Sequence, residues 1–231
     1  MNYALVTGGG GGLGFELVKE HLKADFTVFA LEINVSDQLK KLQENTPERL
    51  FIEQCDIGST ASVEKAIEGV KAHTDHLNRL FNNAGIHRFE DWVELDQTDL
   101  DFVPRMYNVN AVGPLRVAKA ALPLLRPGAV IVNTSSEAAS LTDQTATINY
   151  AYAMSKAGMN MGARIMDNWL RPRGVRTIMI HPGRMRTAMK GAHSNIDPWE
   201  TSDALMTLLD RIEDIPPDMI FMDYKGAPLN W

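Results

Sequence analysis

Cysteine is almost absent from this sequence: Cys55 stands alone among 231 residues. One thiol cannot make an internal disulfide, and a zinc site of the multi-cysteine kind is excluded, so Cys55 reads as a core residue and no metal is expected. Long apolar runs are missing too. No stretch approaches the roughly 18 to 20 uninterrupted apolar residues that a bilayer crossing needs. Residues 1–7 run into the first apolar stretch without the basic leader and apolar block of a secretory signal, so a soluble, cytoplasmic protein is expected. Basic clusters are also absent. Lys and Arg number 23 against 29 Asp and Glu, a formal net charge of −6, and their scatter argues against a nucleic-acid face or an anionic membrane surface. The expected partner is a small molecule.

Repeats and Pro/Gly/Ser linkers are likewise missing, which favours one catalytic domain over 1–231. What is present is alternation. Short runs rich in β-branched residues at 3–7, 26–31, 49–55, 77–81, 129–134, 175–180 and 219–222 predict seven strands. Segments of helical period at 13–23, 37–44, 60–73, 97–123, 150–170 and 202–212 are long enough to cross over and return each strand parallel. Runs such as "AVIVN" and "VRTIMI" are apolar throughout, as strands covered on both faces are. The expected fold is therefore α/β, a Rossmann-like doubly wound parallel sheet of seven strands with helices on both faces. Two stretches without a clear period, 137–148 and 187–201, follow strand C-terminal ends, where open α/β sheets place ligands; 187–201 is the expected substrate loop.

Glycine is concentrated in one place. Gly8 to Gly12 are consecutive, with Gly14 close behind, between the first strand and the first helix. Strand, bare turn and helix in that order let a phosphate rest on free main-chain N–H groups at a helix N-terminus. Glu32 ends the second strand eighteen residues beyond Gly14, near the spacing of the acidic residue that binds an adenosine ribose hydroxyl. "YAMSK" sets Tyr152 and Lys156 four apart on a predicted helix, so both side chains reach one small volume. A phenol beside an ammonium is a candidate acid/base whose pKa is expected to fall toward working pH. Tyr150, six before Lys156, points to another face, and Ser135 competes with Ser136 at the end of the fifth strand.

In register, the turn Gly8, Gly12 and Gly14, Asp56 after the third strand, Asn82-Asn83-Ala84-Gly85, Asn110 in "NVNAVG", Ser136, Tyr152 with Lys156, and Pro182-Gly183 before Thr187 resemble the short-chain dehydrogenase/reductase family from residue 4 to 187. The resemblance implies hydride transfer between a bound nicotinamide and a small alcohol or ketone. In that scheme Tyr152 gives or takes the proton, Lys156 holds the ribose hydroxyls, Ser136 hydrogen-bonds the substrate oxygen and Asn110 fixes a water. Gly8, Gly12, Leu13, Gly14, Glu32, Asp56, Ile57, Asn83, Ala84, Gly85, Pro182, Gly183 and Thr187 line the cofactor, with Asp56 and Ile57 at adenine and Pro182, Gly183 and Thr187 at the nicotinamide. Gly9, Gly10, Gly11, Ile33 and Asn34 stand where relatives that prefer a 2′-phosphate carry Arg or Lys, so NAD is expected over NADP. A non-catalytic dinucleotide sensor of the same fold is the alternative, disfavoured because Tyr152 and Lys156 are both present.

Two segments depart from many relatives: the stretch between Ser136 and Tyr152 is longer, and the one after Thr187 is short, which suggests an open pocket with Met189 and Trp199 as lid contacts. Substrate contacts are sought at Ile86, His87, Arg88, Glu137 and Arg184 or Arg186, with His87 lining the pocket rather than acting as catalyst. Two long helices carrying Met106, Val109, Val117, Leu122, Met159, Met161, Ile165 and Trp169 hold more apolar surface than one sheet face needs. In the family this sequence resembles, these two helices and such a tail ending in Trp231 make subunit contacts, so the resemblance implies a homodimer or homotetramer.

Overall fold

The computed structural model describes residues 1–187 and 194–231. Strands β1 (Asn2–Thr7), β2 (Phe26–Glu32), β3 (Leu50–Gln54), β4 (Leu77–Asn82), β5 (Leu125–Thr134), β6 (Arg176–His181) and β7 (Phe221–Asp223) form one parallel sheet in the order β3-β2-β1-β4-β5-β6-β7. Pleating divides consecutive residues between two cores. Ala4, Val6, Val28, Ala30, Val130 and Val132 face α1 (Gly12–Lys23), α2 (Asp37–Asn45) and α7 (Pro198–Asp210). Leu5, Phe29, Leu31 and Ile131 face α3 (Thr60–Lys71), α5 (Gly113–Ala121) and the C-terminal end of α6 (Tyr150–Leu170). Between β1 and β4 the strand order reverses, and the crevice opens there at the C-terminal ends of the strands.

The predicted helix 97–123 is the largest revision. Three short 3₁₀ turns occupy much of 89–102, and regular helix begins with α4 (Val103–Tyr107), where Pro104 suits the first turn. A π turn over Asn108–Val112 joins α4 to α5. Pro114 has no N–H to give the Asn110 carbonyl four residues back, which accounts for the widened turn there. Helix α7 starts before the predicted 202 because Asp197 and Glu200 form a reciprocal capping box around Pro198.

Much of the apolar surface on the long helices is consumed internally: Met106, Val117 and Met159 are buried. Met161, Ile165 and Trp169 remain exposed on α6, joined by Met154 and by Leu115 of α5. Trp231 lies against Phe221 of its own chain at 5.6 Å, and its carbonyl accepts hydrogen bonds from Thr142 N–H and Ser140 Oγ. No helix among the described residues is long and apolar enough to cross a membrane.

Candidate active site

A cleft of about 1050 Å³ follows the C-terminal edge of the sheet from the glycine turn to the start of α6. Helices α2 and α3 are capped by the Ser36 and Ser59 side chains, and α7 by Asp197. Helix α1 differs: it starts after Gly11 with no side-chain cap, so its first-turn N–H groups are left to an outside acceptor. A Cβ on Gly14 would lie 2.0 Å from the Gly8 carbonyl oxygen, which only glycine permits. Gly12 has φ +52, and a Cβ there would project to 3.2 Å from Thr187 Cγ2, filling the channel between the turn and the loop after β6. Gly8, Gly12, Leu13 and Thr187 line the cleft; Gly14 lies behind it as packing.

At the end of β2, Glu32 accepts hydrogen bonds from Gly10 N–H at 2.7 Å and Ile33 N–H at 3.0 Å. These bonds hold its carboxylate on the cleft wall beside the glycine turn. Asp56 is held similarly, with Oδ1 accepting from Gly58 N–H at 2.8 Å, and Ile57 packs under α5. Leu31, Ile33, Cys55 and Gly58 complete this wall. Cys55 is buried, and burial pushes its thiol up to about 11, which keeps it unreactive.

Buried Thr7, overlooked in the sequence, ties β1 to β4. Its Oγ1 donates to the Phe81 carbonyl at 3.2 Å and accepts from the N–H groups of Asn83 and Ala84, each at 3.0 Å. Asn83 then donates through Nδ2 to the carbonyls of Thr7 and Gly8. Asn110 is fully buried off the cleft. Its Oδ1 accepts from Ile86 N–H at 2.8 Å, while Nδ2 donates to the Ile86 carbonyl at 2.9 Å and Ser155 Oγ at 3.0 Å. The π turn is thus bolted to the exit of β4 and to α6.

The end of β5 separates the two serines. Both line the cleft, but Ser135 Oγ is spent on Asn160 Oδ1 at 2.7 Å, whereas Ser136 Oγ accepts from Ala138 N–H at 3.1 Å and lies close enough to the Tyr152 phenol to favour its charged form. Tyr152 and Lys156 both line the cleft; Tyr150 does not, and sits beside Glu94, Leu95 and Asp96 instead. Lys156 is buried, its Nζ 5.7 Å from the Tyr152 ring centre and donating to the Thr134 carbonyl at 2.7 Å. Burial pushes Lys156 down to about 8. Burial also raises the Tyr152 pKa, offset in part by the Ser136 hydrogen bond. The sequence argument expected a fall driven by the ammonium together with a nicotinamide cation; in the site by itself, burial of the phenol is the larger effect.

The outer rim revises the substrate contacts. Arg184 pairs with Glu137 at 2.8 Å and Arg186 with Asp197 at 2.9 Å, while Arg88 pairs with buried Asp91 and lies 3.8 Å over the Phe102 ring. Each of these guanidiniums already has its carboxylate. His87 does face the cleft, its ring centre 4.8 Å from that of Tyr152. Trp92 and Asn149, which pattern reading passed over, also line it. An Asn immediately before a predicted helix was a signal for Asn149, since Asn tolerates the left-handed backbone it adopts (φ 70). Nothing local marked Trp92. Trp199 is exposed at the start of α7 and forms no part of the cleft wall, and Met189 lies outside the described residues.

The residues present fit a dinucleotide: an uncapped helix start, a turn that side chains would fill, a carboxylate at the end of β2 and a Ser–Tyr–Lys group at the far end. The family description "short chain dehydrogenase" matches residues 2–197. The chain is 36% identical over 162 residues to the C-signal of Myxococcus xanthus, covering 68% of this chain and 95% of that protein. It is 31% identical over 182 residues to a 1-hydroxy-2-glutathionyl-2-methyl-3-butene dehydrogenase of Rhodococcus, covering 76% and 78%. Among solved structures, the carbonyl reductase Sniffer of D. melanogaster superposes with a TM-score of 0.91 at 28% identity, covering all of both chains. The NADPH-bound carbonyl reductase from chicken fatty liver gives 0.86 at 26% identity, covering 100% of this chain and 99% of that one. The chain belongs to the short-chain dehydrogenase family of oxidoreductases, which act on CH–OH and C=O groups with a nicotinamide cofactor.

Proposed function

We propose that this protein interconverts a small ketone or aldehyde and its alcohol, with NAD as the preferred cofactor. The observation that carries the reading is the convergence of the Ser136 hydroxyl, the Tyr152 phenol and buried Lys156 at one end of a cleft whose other end is bare main chain. Gly8, Gly12 and Leu13 would hold the diphosphate, Glu32 the adenosine ribose, Asp56 and Ile57 the adenine, and Asn83, Ala84, Gly85, Pro182, Gly183 and Thr187 the remainder. A bound nicotinamide supplies the hydride in one direction and takes it in the other. Tyr152 gives its phenolic proton to the carbonyl oxygen as the alcohol forms, and recovers one in reverse. Ser136 orients the same oxygen by hydrogen bonding. Lys156, released from the Thr134 carbonyl, would hold the ribose hydroxyls, and Asn110 braces the proton route from behind.

NAD is favoured because the Glu32 carboxylate is fixed by two main-chain N–H groups beside the turn, where a 2′-phosphate would meet like charge. Two of the similar carbonyl reductases were solved with NADPH or NADP, so this choice belongs to Glu32 and not to the family. The exposed face of Met154, Met161, Ile165 and Trp169 on α6, with Leu115 on α5, supports a homodimer or homotetramer. Sedimentation as a monomer at micromolar concentration would refute that assembly. For the reaction, NADH deuterated at C4 should deliver its label to the carbinol carbon of the product across a panel of small ketones. A panel without label transfer from either NADH or NADPH would return the protein to a sensor role.

A further inference from the structure

Two rings, His87 and Trp92, line the cleft on the side of β4, and Phe89 packs against both. His87 meets Tyr152 edge to face at 4.8 Å and 67°, and Phe89 at 5.4 Å and 75°; Phe89 in turn meets Trp92 at 5.7 Å and 62°. Their polar atoms are spent on one another. Trp92 Nε1–H donates to His87 Nε2 at 2.7 Å, and because an indole N–H only donates, the imidazole carries its proton on Nδ1. Asn149 adopts a left-handed backbone, provides no side-chain cap to α6, and places its Oδ1 3.2 Å from the same imidazole nitrogen, an acceptor to which this tautomer has no proton to give. The Trp92 hydrogen bond and the edge contacts to Phe89 and Tyr152 therefore hold the His87 ring beside the catalytic phenol. Fixed as they are, Trp92 and Phe89 remain 37% and 46% exposed, a large apolar area to leave wet at the mouth of an active site.

We propose that His87 and Trp92, backed by Phe89, form an aromatic subsite of ring edges and faces set at steep angles that selects carbonyl compounds bearing an aromatic ring next to the C=O group. The inference rests on the carbonyl–alcohol reading of the site. With Tyr152 engaging the carbonyl oxygen, the substituent on the carbonyl carbon nearest β4 meets ring faces and edges: Arg88 is taken up by Asp91, Asp99 and Phe102, and Arg105, which also lines the cleft, lies 5.8 Å from the Phe102 ring centre. Ring faces and edges reward a second π system beyond simple burial. A saturated ring of the same carbon skeleton gains burial only.

Acetophenone and cyclohexyl methyl ketone differ only in that ring. The wild-type kcat/KM ratio should favour acetophenone by about tenfold, in the range of one aromatic pair. Trp92→Leu should bring the ratio near one, and Trp92→Phe, which retains a ring, should keep most of it. Equal turnover of the two ketones by wild type, or a ratio untouched by Trp92→Leu, overturns the subsite while leaving the oxidoreductase reading intact. Calorimetric titration with benzamide and cyclohexanecarboxamide, neither of which is reduced, separates the two ideas further. A preference for benzamide that Trp92→Leu abolishes upholds the subsite even where both ketones resist reduction, a result that would count against the reaction; equal affinities, or binding of neither amide, overturn the subsite.

Discussion

At the glycine-turn end of the cleft the walls are mostly main chain, whereas at the α6 end they are side chains drawn from the exits of β4 and β5 and the start of α6. The first end needs residues that stay out of the way: Gly12 with its open channel, Gly14 against the Gly8 carbonyl, and α1 left uncapped. The second needs residues that reach in: Ser136, Tyr152, Lys156, His87 and Trp92. A surface that follows main-chain geometry suits the constant part of a ligand set, and a surface of side chains suits the part that varies. Glu32 is the exception at the first end, a side chain whose position is set by main-chain N–H groups.

The largest break comes from removing one oxygen at the side-chain end. Tyr152→Phe should lower kcat by about a thousandfold, the scale of a lost general acid, while cofactor affinity by fluorescence titration stays within a factor of two or so. At the main-chain end, Gly14→Ala forces a Cβ against the Gly8 carbonyl. Overpacking of that kind should cost about 3 kcal/mol in urea unfolding and should weaken cofactor binding, effects that Tyr152→Phe does not share.

Acid should loosen the main-chain end too. His21 on α1 is fully buried, its Nδ1 bonded to the Leu17 carbonyl at 2.7 Å, and burial pushes its pKa down from 6.5 to about 4. The unfolded chain therefore takes up this proton first as pH falls. Stability contributed by neutral His21 is complete above pH 6.5 and is lost between 6.5 and 4, by up to about 3 kcal/mol. Urea unfolding at pH 7, 5.5 and 4.5 should show that decline, and His21→Gln should flatten it. The smallest effect concerns Glu32: Glu32→Gln should narrow the preference for NAD over NADP by about tenfold, as expected for one charge-assisted hydrogen bond. An unchanged ratio would take cofactor choice away from Glu32.

The main-chain end was the more legible in sequence because its signals are contiguous: five glycines and Gly14 between an apolar run and a helical one, then Glu32 at the next strand end. Tyr152 and Lys156 were legible for the same reason, one helical turn apart. The helix drawn over 97–123 was overextended because apolar period alone does not register 3₁₀ turns or the effect of Pro114 on the Asn110 carbonyl. The burial that raises the Tyr152 pKa was not legible, because it is a property of the whole enclosure and not of a neighbour four residues away. Arg184 and Arg186 were candidate substrate contacts, and only folding shows which carboxylates, Glu137 and Asp197, they pair with.

Order along the chain was thus sufficient for the seven-stranded parallel sheet, the bare turn at the start of α1 and the phenol–amine pair, since each depends on spacing within one element or on strict alternation of elements. Which serine is tied to Asn160, how His87 and Trp92 pack beside Tyr152 with Asn149 near them, and how much of the α5 and α6 surface stays exposed depended on segments up to 62 residues apart in sequence meeting in space. Local pattern carries no record of such meetings, because packing at strand ends is settled by which loops the sheet order brings together.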